Sequence, residues 1–75
     1  MKDLVEYIVK ALVEQPDEVS VQEVAGEASM ILEIRVADED AGRVIGRGGR
    51  VVNAVRAIVQ ALAEREGKRI TIEVI

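Results

Sequence analysis

The chain has 75 residues, a formal net charge of −4, no cysteine, no histidine and a single aromatic residue, Tyr7. That length serves one small domain burying about 60 to 65% of its unfolded surface, so nearly all of it must be secondary structure. The missing Cys and His exclude disulfide frameworks, thiol nucleophiles, imidazole bases and nearly all zinc sites, while Lys2, Asp3, Glu6 and Lys10 exclude a signal peptide or membrane span at the apolar amino terminus.

Taken in chain order, Asp3 and Glu6 make a capping-box-like start, and Leu4, Val5, Ile8, Ala11 and Leu12 form an apolar stripe that stops before Pro16, predicting a first helix over about residues 3 to 14. Val19 and Val21 alternate with Ser20 and Gln22. After a turn centred on Gly26, Met30, Leu32, Ile34 and Val36 alternate with Ile31, Glu33 and Arg35, which predicts a hairpin of two strands. Asp38 is placed to cap a short helix running through Ile45. Beyond a glycine-rich loop, Val51, Val55, Ile58, Val59 and Leu62 recur at helical spacing until Gly67. Ile70, Ile72 and Val74, alternating with Arg69, Thr71 and Glu73, predict a last strand. The order is αββααβ, an α+β domain over residues 1–75. A right-handed crossover makes the second and third strands parallel and the first antiparallel to the second, so a three-stranded mixed sheet with helices on one face is expected.

The loop between the last two helices carries the chemistry. Gly46 and Gly49 bracket Arg47 and Gly48. Glycine permits positive φ and removes the Cβ that would hold a sugar-phosphate strand away, and the amides opening the following helix are unsatisfied and partially positive. Val51 stands where a dinucleotide fingerprint needs its third glycine, and no lysine followed by Ser or Thr comes after Gly49, so neither nucleotide-cofactor motif fits.

Charge is distributed to suit this loop. Residues 41–63 hold Arg43, Arg47, Arg50 and Arg56 and no acid, a local +4 against −8 in the rest of the chain. With a Debye length of about 8 Å, bound phosphate responds mainly to the local arginines, while the acidic remainder discourages loose duplex binding.

Ile45, Gly46, Gly49 and Val52 occupy the fixed positions of the Ile-Gly-x-x-Gly-x-x-(Ile/Val) run, and here the sequence resembles the KH domain family. The element order resembles the type II KH fold over essentially the whole chain, and a free-standing unit of this size looks like the small single-domain bacterial KhpA-type RNA-binding proteins. The resemblance implies a cytoplasmic protein whose glycine loop clamps about four nucleotides of single-stranded RNA, with no cofactor, acting in post-transcriptional regulation of RNA metabolism and cell shape as a homodimer or with a larger KH-containing partner. It also implies an apolar groove floor near Val44, Ile45 and Val52 with Ile34 beneath, a phosphate contact at Arg47 flanked by Arg43, Gly48 and Arg50, and a reach to bases from Arg35. The loop departs from the family in one respect: its two variable positions are often both polar or basic, whereas Gly48 leaves Arg47 as the only charge. Ordering that extra glycine costs roughly 0.5 to 1 kcal/mol.

Other readings compete residue by residue. Val44, Ile45 and Val52 also suit core packing, Arg50 a solvated helix face, Arg56 an intramolecular carboxylate partner, and Arg35 an ion pair with Glu33. For the whole chain, the alternative is a KH-shaped protein-interaction module with little or no RNA binding. An enzyme is the remotest reading, because no carboxylate pair is tied to a nucleophile or metal set.

Overall fold

Alternation decides the sheet. In the computed structural model, which describes residues 1–75, the strands are β1 (Ser20–Ala25), β2 (Ser29–Arg35) and β3 (Arg69–Val74), in the order β1-β2-β3. β1 and β2 pair antiparallel and β2 and β3 parallel, as the crossover rule requires. The register sets Leu32 beside Ile72, Met30 beside Ile70 and Val21 beside Ile34, so the even-numbered residues of β2 and β3 share one face. Leu32, Ile34, Ile70 and Ile72 are buried there. Three helices cover this face: α1 (Lys2–Leu12), α2 (Ala41–Ile45) and α3 (Arg50–Arg65).

The helices differ from the predicted stripes by a rotation. On α1 the buried pair is Val5 and Val9, while Leu4 and Leu12 stay more than a third exposed. On α3 the core side is Val52, Val55, Val59 and Ala63, and Ile58 is 52% exposed. Adjacent apolar pairs such as Val51–Val52, Ile58–Val59 and Leu62–Ala63 leave the stripe ambiguous by one residue, or about 100° of rotation. The smaller side faces the sheet, where valine and alanine let the helix axis approach closely. The α3 terminus follows its glycine: Gly67 has φ +70°, the Lys68 N–H bonds to Ala63 O at 3.0 Å and the Gly67 N–H to Glu64 O at 3.0 Å, the pair of bonds of a Schellman motif.

The predicted caps form differently. Asp3 lies inside the first turn of α1 without a side-chain cap bond, and Glu6 pairs with Lys10 at 3.0 Å. Pro16–Glu18 forms a short 3-10 turn before β1, and Asp38–Asp40 forms another that leads into α2. The acid that organises this end is Asp40, which is 0% exposed. It accepts the Glu14 and Gln15 N–H groups at 3.1 and 3.0 Å and Arg43 Nη1 at 3.2 Å. One carboxylate thereby joins the chain leaving α1 to the start of α2, from which the glycine loop departs.

Candidate nucleic-acid interface

α2 ends because its next residue takes a conformation that few side chains tolerate. Gly46 has φ +76° and ψ 169°, with its N–H on Gly42 O at 2.8 Å. A Cβ there would stand 2.6 Å from Val51 Cγ2 and 2.8 Å from the Val51 backbone nitrogen, so glycine is demanded by both backbone torsion and space. Gly48 and Gly49 follow at φ +64° and +81°. The left-handed torsion changes the meaning of Gly48: any other L-residue would be held at a cost of about 1 kcal/mol, which offsets the entropic penalty of ordering a glycine. The Arg47 and Gly48 amides open the turn that leads into α3, where no preceding turn supplies acceptors.

Four arginines carry the segment's charge, and the fold uses them differently. Arg47 and Arg50 are exposed and make no ion pair or side-chain hydrogen bond. Arg43 is engaged: Nη2 lies 2.6 Å from Glu14 Oε1, and Nη1 reaches Asp40 and the Glu39 carbonyl oxygen. Its guanidinium braces α2 against the end of α1. Arg56 takes no carboxylate; Nε and Nη2 donate to the Ile72 carbonyl at 3.2 and 3.0 Å, and Nη1 donates to Asn53 Oδ1 at 2.9 Å. Arg43 is thus matched by carboxylates and Arg56 keeps its charge with donors turned to neutral oxygens, while Arg47 and Arg50 keep both charge and donors free.

The apolar candidates separate by burial. Ile45 is 39% exposed beside the loop, whereas Val44, Val52 and Ile34 are core residues that support it from beneath and offer almost no surface. Arg35 is exposed at the end of β2, on the face that carries no helix, and forms no ion pair with Glu33.

The concavity leading from the loop runs along the first turns of α3 and meets β3, an edge strand. Asn53, Arg56, Ala57 and Gln60 face Ile70, Thr71 and Ile72 across a groove of ≈ 390 Å³. Asn53 stands next to the loop: a Cβ on Gly49 would lie 3.3 Å from its Nδ2. Sequence reasoning missed Asn53, Gln60 and the β3 edge as groove residues, and it missed Asp40 as the internal clamp. Asn53 and Arg56 follow Gly49 by four and seven residues, which places them on one helical side as the loop's own neighbours; that spacing was the available signal.

A Gly-x-x-Gly loop joining two helices on one face of a three-stranded mixed sheet defines a KH-type domain. The chain belongs to the family described as KhpA/KhpB, KH domain, whose model matches residues 2–74. It is 53% identical over 75 residues to the RNA-binding protein KhpA of Clostridium acetobutylicum and 51% identical to that of Clostridium perfringens, covering 100% of each chain compared. It is 40% identical to the RNA-binding protein KhpA of Aquifex aeolicus, covering 100% of this chain and 95% of that one. Among solved structures, an Aquifex aeolicus Era variant bound to GDP and AlF4− matches with a TM-score of 0.68 at 19% identity, over 97% of this chain and 28% of that one. That likeness is one of fold. No helix is long and apolar enough to cross a membrane.

Proposed function

We propose that this protein binds short single-stranded RNA. The glycine loop would hold the backbone of about four nucleotides, with phosphate at the Arg47 and Gly48 amides and the Arg47 and Arg50 side chains, Gly46 and Gly49 giving close approach, and bases passing over Ile45 into the groove against β3. Val44, Val52 and Ile34 pack beneath this surface, Arg43 holds α2 in place, and Arg35 would touch only a strand that wrapped past the sheet end. The observation that carries the reading is the pairing of three glycine-dependent torsions within the four residues 46–49 with an arginine that has no carboxylate partner, at the head of α3. Relatives named RNA-binding proteins along the full length support the choice of RNA.

An NMR titration of the labelled chain with a short random RNA tests this. Shifts should centre on residues 46–50 and spread to Asn53 and Ile70 to Ile72. Affinity should fall with salt at a log–log slope of about −1.4, roughly −0.7 for each of two phosphates. Absence of any response in the loop at millimolar RNA would overturn the reading in favour of a protein-interaction module.

We also propose that the chain acts in the cytoplasm in post-transcriptional regulation, as a homodimer or with a larger KH-containing partner. Support comes from α3, whose outward side sets Ala54, Ile58, Ala61 and Leu62 in solvent, an apolar ridge that nothing in the monomer covers. A second copy would double a site that grips few nucleotides, gaining avidity without new contacts per chain. Sedimentation checks this: the chain should run as a dimer and the Ile58→Lys variant as a monomer with an unchanged circular dichroism spectrum, whereas a wild-type monomer alone in solution would leave pairing to the larger partner.

A further inference from the structure

Arg56 has no place in the phosphate clamp, yet it spans the groove. Parallel pairing uses alternate groups of β3: the Arg69 N–H bonds to Ala28 O of the β2 side, so Ile70 and Ile72 turn their N–H and C=O to the open edge. The Arg56 guanidinium covers the Ile72 carbonyl through Nε and Nη2. A cap on an edge strand discourages pairing with another chain, and that role alone would need only one donor. Three further features point to a ligand. First, a chain with fourteen acids leaves this guanidinium with no carboxylate, and none lines the groove. Second, the fork is only partly used. Of its five N–H groups, three are engaged, leaving one hydrogen on each terminal nitrogen; that of Nη2 lies on the edge shared with Nη1, because its other hydrogen is turned with Nε toward Ile72. Third, the fork is held in place. Asn53 Oδ1 takes Nη1 at 2.9 Å, and the Asn53 amide nitrogen sits over Gly49 in the space a Cβ would crowd. The glycine loop, Asn53, Arg56 and the β3 backbone thus form one chain of contacts across the groove.

We propose that Arg56 is a base-reading residue, positioned by Ile72 and Asn53, that selects a base presenting two adjacent acceptors: guanine through O6 and N7, or cytosine through N3 and O2. This rests on the RNA-binding reading above. Adenine and uracil offer no such pair, since the adenine amino donor sits beside its ring acceptors and the uracil ring N–H separates its carbonyls. Arg56 lies seven residues beyond Gly49, about 10 Å along the helix, within the span of the roughly four nucleotides a glycine-loop clamp holds. The planar guanidinium supplies a fixed fork, which lysine cannot reproduce.

The test uses four heptanucleotides with uridine at six positions and G, C, A or U at the centre, titrated into the full chain and followed by NMR and fluorescence anisotropy. The G or the C oligomer should bind at least about fivefold more tightly than the A and U oligomers, the two arms showing which base is read. Arg56→Met and Arg56→Lys should both lose that preference, each variant binding the four oligomers within about twofold of one another. Should Arg56→Met fail to fold, Arg56→Lys carries the comparison. Equal binding of all four oligomers with shifts in the loop overturns base reading by Arg56 and leaves RNA binding standing, as does a preference that survives in Arg56→Lys. No shift with any oligomer overturns both.

Discussion

Replacing Arg47 and Gly48 together by aspartate is expected to lower affinity for single-stranded RNA by at least about tenfold while the fold persists. Arg47 is exposed and unpaired, so its loss breaks no internal contact. A Cβ at Gly48 meets nothing within 4 Å, and aspartate tolerates the left-handed torsion better than most residues. The cost to stability should be about 1 kcal/mol. At the ligand, two carboxylates would replace one guanidinium beside a phosphate, turning attraction into repulsion within a Debye length, and the salt slope should shrink by about 0.7, the share of one neutralised phosphate. Fluorescence anisotropy at two salt concentrations, with a thermal melt of the same variant, checks both halves. Unchanged affinity would remove the loop from the binding surface. If the variant also failed to hold a protein partner, the loop would be a protein-docking element.

Asp40→Ala is expected to destabilise the chain by about 3 kcal/mol, a large share of the roughly 4 to 11 kcal/mol that a domain of this size commands. The carboxylate is fully buried and accepts two backbone N–H groups and one guanidinium. Removing it strands the Glu14 and Gln15 amides, at about 1 to 3 kcal/mol each when no replacement is found. Its ion pair with Arg43 contributes less, because that side chain is 45% exposed and remains hydrated. Asparagine at this position keeps the shape but only one acceptor oxygen, and should recover about half the loss. Urea unfolding of both variants measures the effect. A change below about 1 kcal/mol for alanine would show that water replaces the carboxylate, and that α2 is held mainly by Val44 in the core.

The same clamp explains why the charged surface is narrower than the sequence pattern implies. Counting arginines over residues 41–63 treats four cations as equal, but Arg43 is paired with Glu14 and Asp40, and Arg56 keeps its charge while committing donors to the Ile72 carbonyl. Glu14 is twenty-nine residues from Arg43, and Ile72 sixteen from Arg56. No periodicity or spacing rule brings such partners together, because each pairing depends on how α1 ends beside α2 and how α3 crosses β3.

What the sequence determined by itself was local or governed by handedness. Alternation along β2 and β3 set which side chains face inward, since a strand has only two faces. The crossover rule set the parallel pair, and the positions of Gly46 and Gly49 marked the loop, because few other residues fit such torsions. The tertiary structure alone decided the rest. Where two apolar residues stand side by side, as at Ile58–Val59, either can face the core, and the rotation of α3 is settled by how closely its valine and alanine side approaches the sheet. That rotation sends Ile58 and Leu62 to solvent, and it also carries Asn53 and Arg56 over the edge of β3, making a groove from residues that are far apart along the chain.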